Sequence, residues 1–195
     1  EELVTKTVPR TVATIIPWED RRSKMKGACL NCHNDSHVDN FYKQFDALVE
    51  LYNEKFAKPG KALMAAAKPL LKPAKFSNKV EWTWFELWHH EGRRARHAAA
   101  MMGPDYTHWH GTYDLAKHWY AKFVPELEEL IAKGKEAGGE KAKAAENLEK
   151  ELTAMLNSDD HKWYLNKLSD AQKKMRKQAV ERFKDQMEGK VGTSK

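Results

Sequence analysis

Cys29-Leu30-Asn31-Cys32-His33 contains both cysteines of the chain and sets a histidine directly behind the second. This is the C-x-x-C-H spacing of c-type haem attachment. Two thiols one short turn apart each form a thioether to a vinyl group of one porphyrin, and the next residue brings an imidazole under the iron as proximal ligand. Two other chemistries use parts of the same pattern. A thioredoxin-like dithiol requires a βαβ setting, of which the sequence carries no sign. A structural zinc site needs four ligands; three lie in the motif and His37 is available as the fourth. Covalent haem c is the cofactor the pentapeptide implies. Cytochromes of this type mature outside the cytoplasm, so an extracytoplasmic location is expected. The chain opens Glu1-Glu2-Leu3 rather than on a basic and then apolar segment, so export implies that a leader has been cut away.

Outward from this motif the pattern is helical. Before it, residues 1–28 read as irregular, extended chain with Pro9 and Pro17. After it, Phe41, Phe45, Leu48 and Tyr52 recur in steps of four, three and four, which predicts one helix face over 38–56. Pro59-Gly60 is expected to end that helix, and 61–71 to form a second. The segment 79–103 is dense in aromatic residues and histidines. Gly103-Pro104-Asp105 breaks it, with Pro104 suited to the first turn of a new helix. That helix reaches Pro125, which either kinks it or marks a new start. Residues 126–156 read as helix with a weak point at Gly138-Gly139, and Ser158-Asp159-Asp160 predicts the cap of a long helix over 161–187. No hairpin signal or repeat is present. The expected class is all-α, with a haem-binding region over 1–125, including His- and Trp-rich helices over 79–122, and a long helical C-terminal region over 126–195 for packing and oligomerisation.

Bulk composition narrows the partners. Charged residues make up 32% of the 195 and hydrophobic ones 41%, a soluble helical balance, and no apolar run is long enough to span a bilayer. The net charge of +6 is spread thinly, and after residue 126 lysines interleave with glutamates. Alternating charge marks solvated helix faces, so no nucleic-acid partner is expected.

The histidine count is too high for one haem. One iron takes at most two histidines, and His33 is one. Six more, His89, His90, His97, His108, His110 and His118, lie within thirty residues among Trp82, Trp84, Trp88, Trp109 and Trp119. Histidine is a common axial ligand and flat aromatics pack well on porphyrin faces. His90 and His97, seven apart, share a helix face. The chain attaches one haem, so the surplus ligands point to haems carried elsewhere.

These residues carry a resemblance. The run Met101-Met102-Gly103-Pro104-Asp105-Tyr106-Thr107-His108-Trp109-His110-Gly111, preceded by Arg93-Arg94-Ala95-Arg96-His97, resembles the C-terminal part of the octahaem hydroxylamine oxidoreductase and hydrazine dehydrogenase family. These are multihaem cytochromes c of nitrifying and anammox bacteria. The resemblance covers essentially the whole chain, and the eleven-residue run is its specific part. It implies that Cys29, Cys32 and His33 hold the last haem of eight, and that His97 and His110 are distal axial ligands in the array. His37, His89 and His90 are further candidates, followed by His108 and His118. It also implies a trimer in which a tyrosine of one subunit bonds to the catalytic haem of its neighbour, with Tyr106 as first choice and Tyr113 as the alternative. His108 is the candidate for moving protons near the substrate.

The expected function is therefore a component of an extracytoplasmic multihaem oxidoreductase, in a periplasm or anammoxosome lumen, acting on hydroxylamine or hydrazine and passing electrons to a soluble redox partner. The family has eight attachment motifs and this chain has one. Catalysis would thus need the remaining haem-bearing part, and the chain alone would be inactive. Two alternatives differ in class: a stand-alone monohaem electron carrier, and a docking subunit of a multihaem complex built on the helices over 126–187.

Overall fold

Every regular element among the described residues is helical, and no strand occurs among them. The computed structural model describes residues 16–188. The N-terminal extended stretch expected before residue 16 and the tail from Gly189 lie outside them. The chain divides into two compact units, Glu1–Ala47 and Leu48–Lys195.

In the first unit, α1 is Trp18–Cys29. The irregular chain expected up to residue 28 is corrected here: Pro17 sits at the N-cap and Glu19 and Asp20 favour the first turn. Arg22 pairs with both carboxylate oxygens of Asp46 at 2.7 and 2.8 Å, and Lys26 with Asp39 at 2.7 Å. The turn 30–34 leads to α2, residues 35–67.

The second unit holds the rest of α2, then α3 (79–100), α4 (104–137), α5 (Gly139–Leu156) and α6 (Asp170–Met187). Three of these helices contain π turns: Asn53–Ala57 in α2, Glu86–Glu91 in α3, and Thr107–Tyr113 with Trp119–Phe123 in α4. Two of them stand, one beside the break expected at Pro59-Gly60, which is absent, and one beside Pro125, where no new helix starts. A π turn closes bonds from residue i to i−5. Lys58 N–H reaches the Asn53 carbonyl and Val124 N–H reaches that of Trp119. On the return to i−4 register one carbonyl is skipped. Pro59 and Pro125 directly follow Lys58 and Val124, the residues that close those turns. Helices α2 and α4 run through both prolines.

The breaks at Gly103-Pro104 and Gly138-Gly139 occur as expected, with Gly138 and Gly139 at φ +71° and +56°. The long helix expected from His161 begins only at Asp170. Residues 158–166 make successive turns, and Ser169 supplies the cap: its side chain accepts from Gln172 N–H at 3.2 Å while Gln172 reaches back to Ser169 N–H at 3.0 Å.

The core of this unit gathers Phe56 and Leu63 from α2, Leu87 from α3, Leu115, Trp119, Phe123 and Leu127 from α4, and Leu148 and Leu152 from α5. Trp119 and Phe123, both fully buried, lie in the second π turn of α4 with rings 5.0 Å apart. Helices α3 and α4 meet most tightly at Gly111, where an added Cβ would stand 2.6 Å from the Ala95 Cα. This approach fixes the two histidine-bearing helices against each other. No helix among the described residues is long and apolar enough to cross a membrane.

Candidate functional site

The Cys29–His33 pentapeptide occupies the end of α1 and the turn that follows. Cys29 is the last residue of the helix, and its carbonyl accepts from Cys32 N–H at 3.1 Å and His33 N–H at 3.0 Å. These two bonds fold the pentapeptide into one tight turn. Asn34 then caps α2, its side-chain oxygen accepting from His37 N–H at 2.9 Å. His33 thus stands just outside a helix N-terminus and His37 in the first turn, with rings stacked 4.5 Å apart and 15° from parallel. Cys29 is half-buried, Cys32 exposed, and both are free thiols. Two thiols and an exposed imidazole thus share one turn. They do not fit a closed zinc site: among the described residues Cys29, Cys32, His33 and His37 do not converge as a ligand set, whereas Glu86, Glu91 and His118 do.

In the second unit, His89, His90 and His97 line an open cleft of about 280 Å³ together with Arg93, Arg94, Ala98, Met101 and Tyr106. Helix α3 supplies the histidines. His89 and His90 fall inside its π turn and His97 in the regular helix that follows. Tyr106 comes from the first turn of α4, held beyond the break where Gly103 N–H bonds the Ala98 carbonyl at 2.8 Å.

The histidines are not equivalent. Arg93 Nη1 lies 3.2 Å from His89 Nε2. A guanidinium only donates, so Nε2 accepts and the proton sits on Nδ1, which is buried without a partner. Burial, then Arg93 and His90, hold the His89 pKa below its ordinary value. His89 thus has its Nε2 lone pair engaged, while His90 and His97 are exposed at the cleft.

His108 and His110 lie in the first π turn of α4 and are exposed. The His110 ring is 4.8 Å from that of Tyr106, and its Nδ1 is 3.9 Å from Asp114. The His108 ring meets Trp109 edge-on at 4.6 Å, and Tyr113 packs on Trp109 at 5.7 Å. Neither His108, His110 nor Tyr113 lines the cleft. Around these residues Trp82, Trp88, Met101, Met102 and Trp109 remain exposed, so the aromatic and histidine-rich face predicted for 79–122 is largely uncovered.

His118 points elsewhere. Its Nδ1 is 2.6 Å from Oε1 of Glu91, a residue only 3% exposed. Glu86 completes a group whose ligand atoms all lie within 4.8 Å of one another. The two glutamates are absent from the expected site residues because a spacing of five places them on one face only across a π turn. His161, the ninth histidine, is a core residue 1% exposed.

No protein-family model, no curated protein and no solved structure matches this chain.

Proposed function

We propose that this chain is one haem-bearing part of a larger multihaem c-type oxidoreductase acting on hydroxylamine or hydrazine. The observation that carries the reading is the Cys29–His33 pentapeptide, with both cysteines and the adjacent imidazole on one hydrogen-bonded turn. The thiols of Cys29 and Cys32 tether the group, and His33 binds its iron from the proximal side. A bound haem supplies one-electron transfer at its iron.

The uncovered face of the second unit supports the multihaem part of the reading. His90 and His97 present imidazoles at an open cleft beside Arg93 and Arg94, whose guanidinium groups suit carboxylates such as those of a porphyrin edge. Tyr106 shares this cleft and Tyr113 does not, which favours Tyr106 as the tyrosine that reaches a neighbouring catalytic group. His110, its ring 4.8 Å from that of Tyr106, is a further candidate axial ligand, and His108 on the same π turn is the candidate proton carrier. The substrate class rests on the resemblance of the 93–111 run, and a trimer and an extracytoplasmic site follow from it.

The test is composition. The natively purified chain should carry one covalent haem and elute with additional haem-bearing polypeptide, releasing it in denaturant. A compact monomer with one haem and nothing bound would refute the reading. It would establish the stand-alone carrier, a reading favoured by the attachment motif's place in its own compact unit.

A further inference from the structure

We infer that Glu86, Glu91 and His118 form a binding site for a divalent first-row metal ion, separate from any haem. The three ligand atoms lie within 4.8 Å of one another. Glu91 is only 3% exposed, and its Oε2 is buried without a hydrogen-bond partner. A buried carboxylate oxygen left unpaired is costly. No lysine or arginine among the described residues forms an ion pair with Glu86 or Glu91. Two carboxyl side chains meet one imidazole here, with His118 Nδ1 2.6 Å from Glu91 Oε1. A dication seated among the three groups removes the cost of the unpaired oxygen.

The backbone builds the site. Glu86 and Glu91 are the first and last residues of the π turn in α3. On an α-helix, residues five apart point about 140° away from each other. Bonding to i−5 widens the turn, so that residues five apart come onto one side. The π turn is therefore what lets both carboxylates face α4, where His118 ends the regular stretch before a second π turn. The contact between Gly111 and Ala95 holds the two helices at this spacing.

Two carboxylate oxygens and one imidazole nitrogen form a hard-to-borderline donor set suited to manganese, iron(II) or zinc. Three protein ligands leave further coordination positions open to water or a small ligand. His118 is half-buried and Glu86 partly exposed, which gives an ion access from one side.

Manganese(II) is the probe, because it favours carboxylate donors over the exposed histidines elsewhere in the chain. The full chain as purified is freed of loose metal with chelator and titrated with manganese while free ion is followed by its EPR signal. One equivalent should bind per chain. Glu86→Gln, a change at a partly exposed position, should weaken binding roughly tenfold or more, since even outer-shell changes cost that much. Glu91→Gln and His118→Gln should do the same. Absence of a bound equivalent overturns the site, as does binding unchanged in Glu86→Gln. Covalent haem is assayed on the same sample, and the manganese equivalent does not depend on that result, so failure of the haem reading and failure of this one are told apart.

Discussion

The Tyr120 hydroxyl donates to Nδ1 of His161 across 2.9 Å. On the far side of the ring, Nε2 donates to the Lys55 carbonyl at 2.9 Å. A carbonyl only accepts, so Nε2 carries the proton and the tautomer is fixed. Through this ring the turn after α5 is tied to both α4 and α2, inside the core beside Trp119 and Phe56. Burial drives the Tyr120 pKa up to about 12 and drives that of His161 down.

A lowered native pKa gives the sign of the pH response. Below the ordinary imidazole value the unfolded chain binds a proton at His161 that the native state refuses. This contribution to stability is complete above about pH 6.5 and declines as pH falls through that value, by at most about 1.4 kcal/mol per pH unit. It levels off once the native pKa is passed. Thermal melts from about pH 8 to about pH 5 should show a falling Tm. His161→Gln should melt lower at neutral pH, with a shallower acid slope. An acid slope identical to wild type would clear His161 of the effect.

Gly111→Ala places a methyl group 2.6 Å from the Ala95 Cα, against backbone that cannot swing aside. The expected cost is about 1–3 kcal/mol, read as a lower Tm. Gly27→Ala is the counterpart: its added methyl meets nothing within 4 Å, and it lies inside α1. Exchange there should leave stability unchanged or raise it by about 0.5–1 kcal/mol. Equal effects at the two positions would contradict the close approach of α3 and α4.

Haem attachment is read from denaturing gels stained for haem-linked peroxidase activity. The chain matured with an export and haem-ligation system should stain. Replacing either Cys29 or Cys32 by alanine leaves one thioether and a weaker band, and replacing both removes it. Staining that survives the double replacement would disprove attachment at the pentapeptide.

Tyr106 and Tyr113 divide on the same logic. In the native assembly Tyr106→Phe should abolish the atypical reduced absorption band of a cross-linked catalytic group, and Tyr113→Phe should leave it, because Tyr106 alone lines the cleft with His90 and His97. The reverse outcome moves the role to Tyr113. Silence of both variants favours a docking subunit.

The helical class and two of its breaks were legible from local chemistry. Apolar residues at steps of three and four marked α2, and Gly103-Pro104 and Gly138-Gly139 ended helices where proline and positive φ required it. What local rules missed was register. Pro59 reads as a stop and Pro125 as a kink or a new start because proline breaks an α-helix, and nothing in composition announces the wide turns that precede them. The same blindness hid Glu86 and Glu91, whose spacing of five carries no meaning on an α-helix. Trp18–Cys29 was missed because it has no apolar stripe and buries no residue, so periodicity had nothing to detect. The start of α6 was misjudged because Ser158 and Ser169 both look like caps, and only Ser169 is followed three residues later by a glutamine.

Each wide turn amounts to one residue inserted into an otherwise ordinary helix. Excising a single residue from Thr107–Tyr113 would restore plain α winding and leave the downstream side chains facing as they do now. The same excision from the plain stretch Asp114–His118 would swing everything downstream by about 100° around the axis, and Trp119 and Phe123 would leave the interior. Lineages of this chain should therefore tolerate a one-residue gap inside a wide turn far more readily than one in the plain helix beside it.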